Sequence, residues 1–386
     1  MKLMGSRSRS RSRAIVHAVL WGMALPVVGA APPTPTGKSD HYAGVDLSYV
    51  NEVESCGAKY RVGGIASDPY RLFAAAGANL VRLRLWNAPT WTNYSVEADV
   101  TRSIERAHAA GMKVLLDFHY SDDWADPQKQ TVPAAWAADI DDADKLATHV
   151  YEYTRDVLAR LNARGLLPHM VQVGNEINTQ ILRAADTPGT PIDWTKNARY
   201  LNAGIRAVRE AKAADGISPR VMLHVAQPEN VEPWFTAAAD ADVRDFDLIG
   251  VSYYPKWSPL KLPQAEAALT QVVNRFGKQI VIVEVSYPFT LRDAGDKAPN
   301  LLGEDSLHRG YPATARGQQR FMNDVVQMTL RAGGVGVVYW EPAWVSSSCA
   351  TRWGTGSHWE NATLFDFRKG NELLPAAEFL NQIRGQ

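Results

Sequence analysis

The sequence predicts a single (β/α)8 barrel, a TIM barrel with long loops on one rim, and three observations carry that expectation. Eight short apolar runs recur from residue 41 to the C-terminus, and stretches with helical periodicity separate them. The runs are apolar throughout instead of alternating, as expected of parallel strands covered by helices. Eight such units in about 345 residues fit one closed barrel better than two domains. An open doubly wound sheet would carry a glycine-rich phosphate turn after its first strand, where this chain has Leu47-Ser48-Tyr49-Val50.

The first strand is expected over residues 42–47. A helix opening at Ser67-Asp68-Pro69, a capping residue with proline in the first turn, leads to the second at 79–85. The third, at 113–118, is set off by the helix-ending Gly111. A long helix over 142–162, stopped at Gly165, precedes the fourth at 170–173. Helices over 197–214 and about 229–239 lead to the fifth and sixth strands, 221–225 and 248–252. The seventh and eighth lie at 279–283 and 335–340, and a helix from about residue 376 closes the chain.

Ahead of the barrel, Lys2, Arg7, Arg9, Arg11 and Arg13 precede an apolar segment at 14–25, which Pro26 breaks before the small residues Val28-Gly29-Ala30. Residues 1–30 therefore read as a secretory signal cut after Ala30 or Ala31, with a membrane-tethering helix as the alternative. No Arg-Arg pair is present, so the general export route is expected. Residues 31–40, rich in proline and threonine, read as a linker, and 41–386 as the catalytic barrel. The expected location is extracellular or periplasmic. With those five bases set aside, 36 bases face 41 acids, so the body lacks the basic footprint of a nucleic-acid binder. Nothing after residue 47 approaches a spanning helix.

In such a barrel, chemistry gathers where strands end. The loops there are long, and they hold Trp86, Trp91, Trp124, Trp136, Trp257, Trp344, Trp353 and Trp359. Rigid aromatic faces stack on pyranose rings, so as a group they point to a sugar cleft, although packing loops onto the barrel is an equal reading for any one of them. Gly174-Asn175-Glu176 follows the fourth strand and Val283-Glu284 ends the seventh, placing two carboxyls across the mouth. Glycoside hydrolysis needs such a pair, one acid for the leaving oxygen and one carboxylate on the other face of the sugar. Arg82 and Arg84 share one side of the second strand, where they can hold a carboxylate ionised. The two cysteines, Cys56 and Cys349, lie in the loops after the first and eighth strands, neighbours in a closed barrel, so a disulfide between them is expected.

Several segments have a family likeness: Gly44-Val45-Asp46-Leu47-Ser48, Val81-Arg82-Leu83-Arg84-Leu85-Trp86, Asp117-Phe118-His119-Tyr120-Ser121-Asp122 with Trp124-Ala125-Asp126-Pro127, Gly250-Val251-Ser252-Tyr253-Tyr254-Pro255 and Tyr339-Trp340-Glu341-Pro342-Ala343-Trp344. With the two glutamates, they make the chain resemble the arabinogalactan endo-β-1,4-galactanases of glycoside hydrolase family 53, a retaining (β/α)8 clan. The resemblance implies Glu176 as acid/base and Glu284 as nucleophile. It also implies a substrate-binding set of Asn175 on the sugar 2-hydroxyl, Arg82 and Tyr254 on Glu284, Trp340 as floor, Trp86, Trp124 and Trp344 beside it, and His119, Asp46 and Arg84 in the polar surround. The substrate would be β-1,4-galactan of pectic arabinogalactan, cut by a monomer with no cofactor, no nucleic acid and no membrane partner after signal removal. A structural calcium in the loop after strand eight is left open. Cellulase or mannanase activity is the alternative within the clan. A non-catalytic glycan-binding barrel is a more distant one, and a metal-dependent barrel hydrolase is disfavoured because the first strand lacks a His-x-His. A retaining pair lies about 5 to 5.5 Å apart; Glu176 is expected to hold its proton and Glu284 to stay ionised.

Overall fold

The computed structural model describes residues 41–384, so the signal and linker expected over 1–30 and 31–40 lie outside the described residues. The barrel strands are β1 (Tyr42–Asp46), β2 (Leu80–Leu85), β3 (Lys113–Phe118), β4 (Met170–Val173), β5 (Arg220–Ala226), β6 (Leu248–Ser252), β7 (Gln279–Val285) and β8 (Gly336–Tyr339). They close into one parallel barrel in chain order, with β1 paired to both β8 and β2. Almost every strand residue is buried, which accounts for the unbroken apolar runs.

The helices are α1 (Val50–Ser55), α2 (Pro69–Ala75), α3 (Glu97–Ala109), α4 (Ala143–Ala163), α5 (Trp194–Glu210), α6 (Pro228–Asp240), α7 (Leu262–Phe276), α8 (Ala315–Arg331) and α9 (Phe379–Arg384). Local chemistry starts several of them. Asp68 accepts from the Arg71 N–H at 3.1 Å with Pro69 in the first turn, and Asp142 accepts from the N–H groups of Asp144 and Lys145. α5 starts earlier than the sequence reading has it because Asp193 caps it, and it ends at Glu210. The closing helix is shorter than expected, a 3-10 turn (Pro375–Glu378) followed by α9.

Outward strand side chains such as Val45, Leu83, Leu116 and Ile249 join the helices in the main core. Inside the barrel a separate ring of Tyr42, Leu80, Leu115, Met170, Met222, Leu248, Val281, Val283, Val335 and Val338 fills the lower axis. Gly44 keeps this ring closed, because a Cβ there would sit 2.6 Å from Val338 Cγ2.

One irregularity matters for function. On β6, Val251 pairs with Ile282 but Ser252 pairs with Glu284, so β7 carries an extra residue, a β-bulge. Val281 and Val283 both belong to the interior ring, and plain alternation would then turn Glu284 outward toward the helices. The bulge turns it into the mouth, and Val285 joins the outer core instead.

Two features escaped the sequence reading. α1 follows β1 directly. Short strands at Tyr60–Val62, Ile65–Ser67, Phe365–Asp366 and Glu372–Leu373 form a small sheet beside the barrel. Cys56, the C-cap of α1, is bonded to Cys349 with Cα atoms 5.4 Å apart, joining the β1 and β8 loops. Among the described residues no helix is long and apolar enough to cross a membrane.

Candidate active site

Above the apolar ring the same strands change character. Asp46, Arg82, Asp117, Gln172, His224, Ser252 and Glu284, one from each of β1 to β7, are all buried at the carboxyl end of the barrel. Burying so many polar groups is tolerable only if they satisfy one another, and they do. Arg82 is the hub. Its Nη1 lies 2.9 Å from Asp46 Oδ2 and 2.9 Å from Glu284 Oε1; its Nη2 lies 2.9 Å from Asp117 Oδ2 and 2.6 Å from Asn175 Oδ1; its Nε donates to Gln172 Oε1 at 3.2 Å. A planar guanidinium suits this fixed fan of acceptors.

The Tyr254 hydroxyl donates to Glu284 Oε2 at 3.0 Å, so both oxygens of Glu284 are held. Burial pushes its carboxyl up to about 7, opposed first by the Arg82 charge, while Asp46 and Asp117 add to the rise. One arginine serves three buried carboxylates, so its charge does not fully offset desolvation, yet Glu284 stays the more acidic member of the pair.

Glu176 has a different setting. It follows Gly174, whose φ is +84°, and is itself left-handed at φ +43°, a strained conformation that turns the side chain sharply off β4. Its Oε1 accepts from the Ser252 hydroxyl at 2.6 Å, and among the described residues no arginine is paired with it. Burial raises its pKa well above the usual carboxylate range, and the charge of Glu284 raises it further. One atom from each of Glu176, Glu284 and His224 falls within 4.8 Å of the others, so the carboxyls approach closely. Nearest oxygens within that bound accord with a retaining pair, about 5 to 5.5 Å between carboxyls, against about 6.5 to 9.5 Å for an inverting pair. The trio does not read as a metal centre, because both His224 nitrogens are engaged, Nε2 with Ser252 and Nδ1 with the Glu176 N–H.

The remaining expected residues divide into those near the cleft and those beneath it. Asn175 donates through Nδ2 to Ala125 O at 2.8 Å and keeps a second N–H on that nitrogen. His119 accepts the Ala125 N–H on Nδ1 and so presents Nε2–H to Asp117 at 3.1 Å, as a neutral ring whose pKa burial lowers. Arg84 lies against the rings of Tyr49, Trp86 and Trp124 at 4.6, 4.6 and 4.2 Å and reaches Glu341 at 3.4 Å. Trp340 and Trp124, ring centroids 5.9 Å apart, remain partly exposed in the mouth, as do Trp91 and Trp353.

Trp86 requires correction as a substrate contact, and Trp344 sits deeper than Trp340. Trp86 is 2 % exposed, enclosed by Arg84, Trp91, Trp124 and Trp353. Trp344 is stacked at 4.0 Å on Tyr49 and is also buried. Trp86 supports the aromatic wall from behind. Asp46, Arg82, Arg84 and His119 are likewise buried, each bonded to other side chains of the site.

Asp117, Gln172, His224 and Ser252 were missed as site residues. The available signal was a polar residue near the end of an otherwise apolar strand. Asp293, Asp296 and Glu360 bring carboxylates within 4.8 Å of one another in the β7 and β8 loops.

The glycosyl hydrolase family 53 model matches residues 42–380. The arabinogalactan endo-beta-1,4-galactanase of Cellvibrio japonicus (strain Ueda107) is 51 % identical over 349 residues, covering 89 % of this chain and 92 % of that protein. The endo-beta-1,4-galactanase of Bacillus subtilis (strain 168) is 37 % identical over 343 residues, covering 84 % and 76 %. Among solved structures, the Ignisphaera aggregans GH53 catalytic domain matches with a TM-score of 0.80 at 31 % identity, covering 91 % of this chain and 98 % of that one.

Proposed function

The chain belongs to glycosyl hydrolase family 53, and from that premise we propose that it cleaves internal β-1,4-galactosidic bonds of galactan by a retaining double displacement. Glu284 attacks the anomeric carbon while Glu176 gives its proton to the departing glycosidic oxygen, leaving a galactosyl ester on Glu284. Glu176, now a carboxylate, takes a proton from water, which attacks the same carbon and releases Glu284. The observation that carries this reading is the close approach of two carboxyls in unlike surroundings. Arg82 and Tyr254 favour charge on Glu284, whereas burial and the Glu284 charge favour a proton on Glu176. Asn175, with its remaining N–H, is the group for the sugar 2-hydroxyl, and Trp340 with Trp124 forms the floor.

The basic and apolar pattern of residues 1–30 supports export by a cleaved signal, and the enzyme acts outside the cytoplasm as a monomer. A product profile on β-1,4-galactan, β-1,3-galactan, cellulose and mannan tests the activity. Short oligosaccharides and a fast viscosity drop are expected from β-1,4-galactan alone. Untouched galactan with cleaved cellulose or mannan would reject the assignment.

A further inference from the structure

Resting on the reading of Glu176 as acid/base, we propose that Ser252, aimed by His224, is a positioning residue that keeps the transferable proton of Glu176 on Oε2. The Ser252 hydroxyl lies 2.6 Å from Glu176 Oε1 and 2.8 Å from His224 Nε2. Ser252 and His224 are fully buried at the ends of β6 and β5, so bulk water does not compete for these bonds.

A hydroxyl has one proton, and the tautomer of its imidazole neighbour decides where that proton points. The backbone N–H of Glu176 is directed at His224 Nδ1 at 3.3 Å, and the Gln172 amide nitrogen lies 3.1 Å from the same atom. A backbone hydrogen cannot turn away, so Nδ1 accepts and Nε2 carries the ring's proton. Asn175 Oδ1 also sits 2.9 Å from Nδ1, but Arg82 at 2.6 Å already supplies it with a donor, whereas the Glu176 N–H faces Nδ1 alone among the described residues. Burial and the Arg82 charge hold the ring neutral. Nε2–H therefore donates to Ser252, and Ser252 donates onward to Oε1.

With Oε1 fixed as an acceptor, neutral Glu176 carries its proton on Oε2. In the first step the Oε2–H bond breaks as the glycosidic oxygen takes the proton; in the second, Oε2 takes a proton from the attacking water. Ser252 keeps the same orientation in both, which suits a group that must act as acid and then as base. The other charged groups acting on Glu176 are Glu284, Asp126 and Arg82.

Ser252→Ala and Ser252→Thr, assayed on galactan and on a dinitrophenyl galactobioside, test the proposal. For Ser252→Ala, kcat/KM on galactan should fall about ten-fold and on the aryl substrate by under about two-fold, since the activated leaving group needs no acid. The alkaline limb of kcat/KM should move upward, because a hydrogen bond favouring the carboxylate is gone. Ser252→Thr should restore both. Equal losses on the two substrates with an unmoved alkaline limb would overturn the proposal. Independently of any variant, 15N-histidine NMR of the unmodified enzyme should find His224 with its proton on Nε2; a proton on Nδ1 would overturn it. Glu176→Ala run in parallel separates the two readings. If it cut galactan normally, the acid/base assignment itself would fail. If it failed on galactan while Ser252→Ala left the pH profile unmoved, only the role of Ser252 would fall.

Discussion

Two rings of side chains from the same strands line the barrel axis and have opposite characters. The lower ring, from Tyr42 and Leu80 round to Val338, is apolar and closely packed; the upper ring, from Asp46 and Arg82 round to Glu284, is almost wholly polar and ionic. On β3 the two are only two residues apart, Leu115 below and Asp117 above. Position along one strand therefore decides whether a residue supplies stability or chemistry. The upper ring bears a cost: buried carboxylates around a single arginine are less favourable than hydrocarbon, and the stable lower ring and helical shell offset it.

The contrast can be broken most strongly at Glu284. Glu284→Gln should lower kcat on galactan by about 10⁴-fold or more, since the covalent route is lost. Stability should move the other way. The folded pKa of about 7 lies above the ordinary carboxylate value, so the folded state holds the proton longer and stability falls as pH rises through that interval. The glutamine variant lacks this loss, so its Tm relative to wild type should climb between pH 5 and pH 8. A difference that stayed flat across that range would show that Glu284 carries no such cost.

Glu176→Ala should cost about 10³-fold on galactan while sparing an activated aryl galactoside, with azide giving the β-galactosyl azide. An α-azide from this variant would reverse the assigned roles. In the lower ring, Leu115→Ala should lower unfolding free energy by about 2 to 5 kcal/mol, leaving kcat intact well below its Tm. A large fall in kcat with unchanged stability would erase the distinction between the rings. Replacing Cys56 and Cys349 together by Ser removes the bond joining the β1 and β8 loops and should cost about 2 to 4 kcal/mol, read as a lower denaturant midpoint.

Much of this division was legible in the sequence. The apolar runs located all eight strands because burial on both faces leaves little room for other residue types. Glu176, preceded by Asn175, and Glu284 are legible as acids at strand ends, and barrel closure places Cys56 near Cys349. Less legible was what depends on backbone irregularity or long-range pairing. Alternation along residues 279–285 aims Glu284 outward, and only the bulge opposite Val251 and Ser252 turns it inward. Gln172, His224 and Ser252 are single polar residues in apolar strands, and their partners lie on other strands. The small sheet pairs residues about 300 positions apart through strands of two or three residues, too short to show a period. For Trp86, loop position alone could not separate a cleft wall from the layer that supports it.

The central claim, that Glu284 forms the covalent intermediate and Glu176 does not, is tested most directly by trapping. The enzyme would be incubated with an activated 2-deoxy-2-fluoro-β-galactobioside, digested, and the labelled peptide sequenced by mass spectrometry. The account predicts one label per chain, on Glu284. A label on Glu176, or α-configured products with no label on any residue, would contradict it.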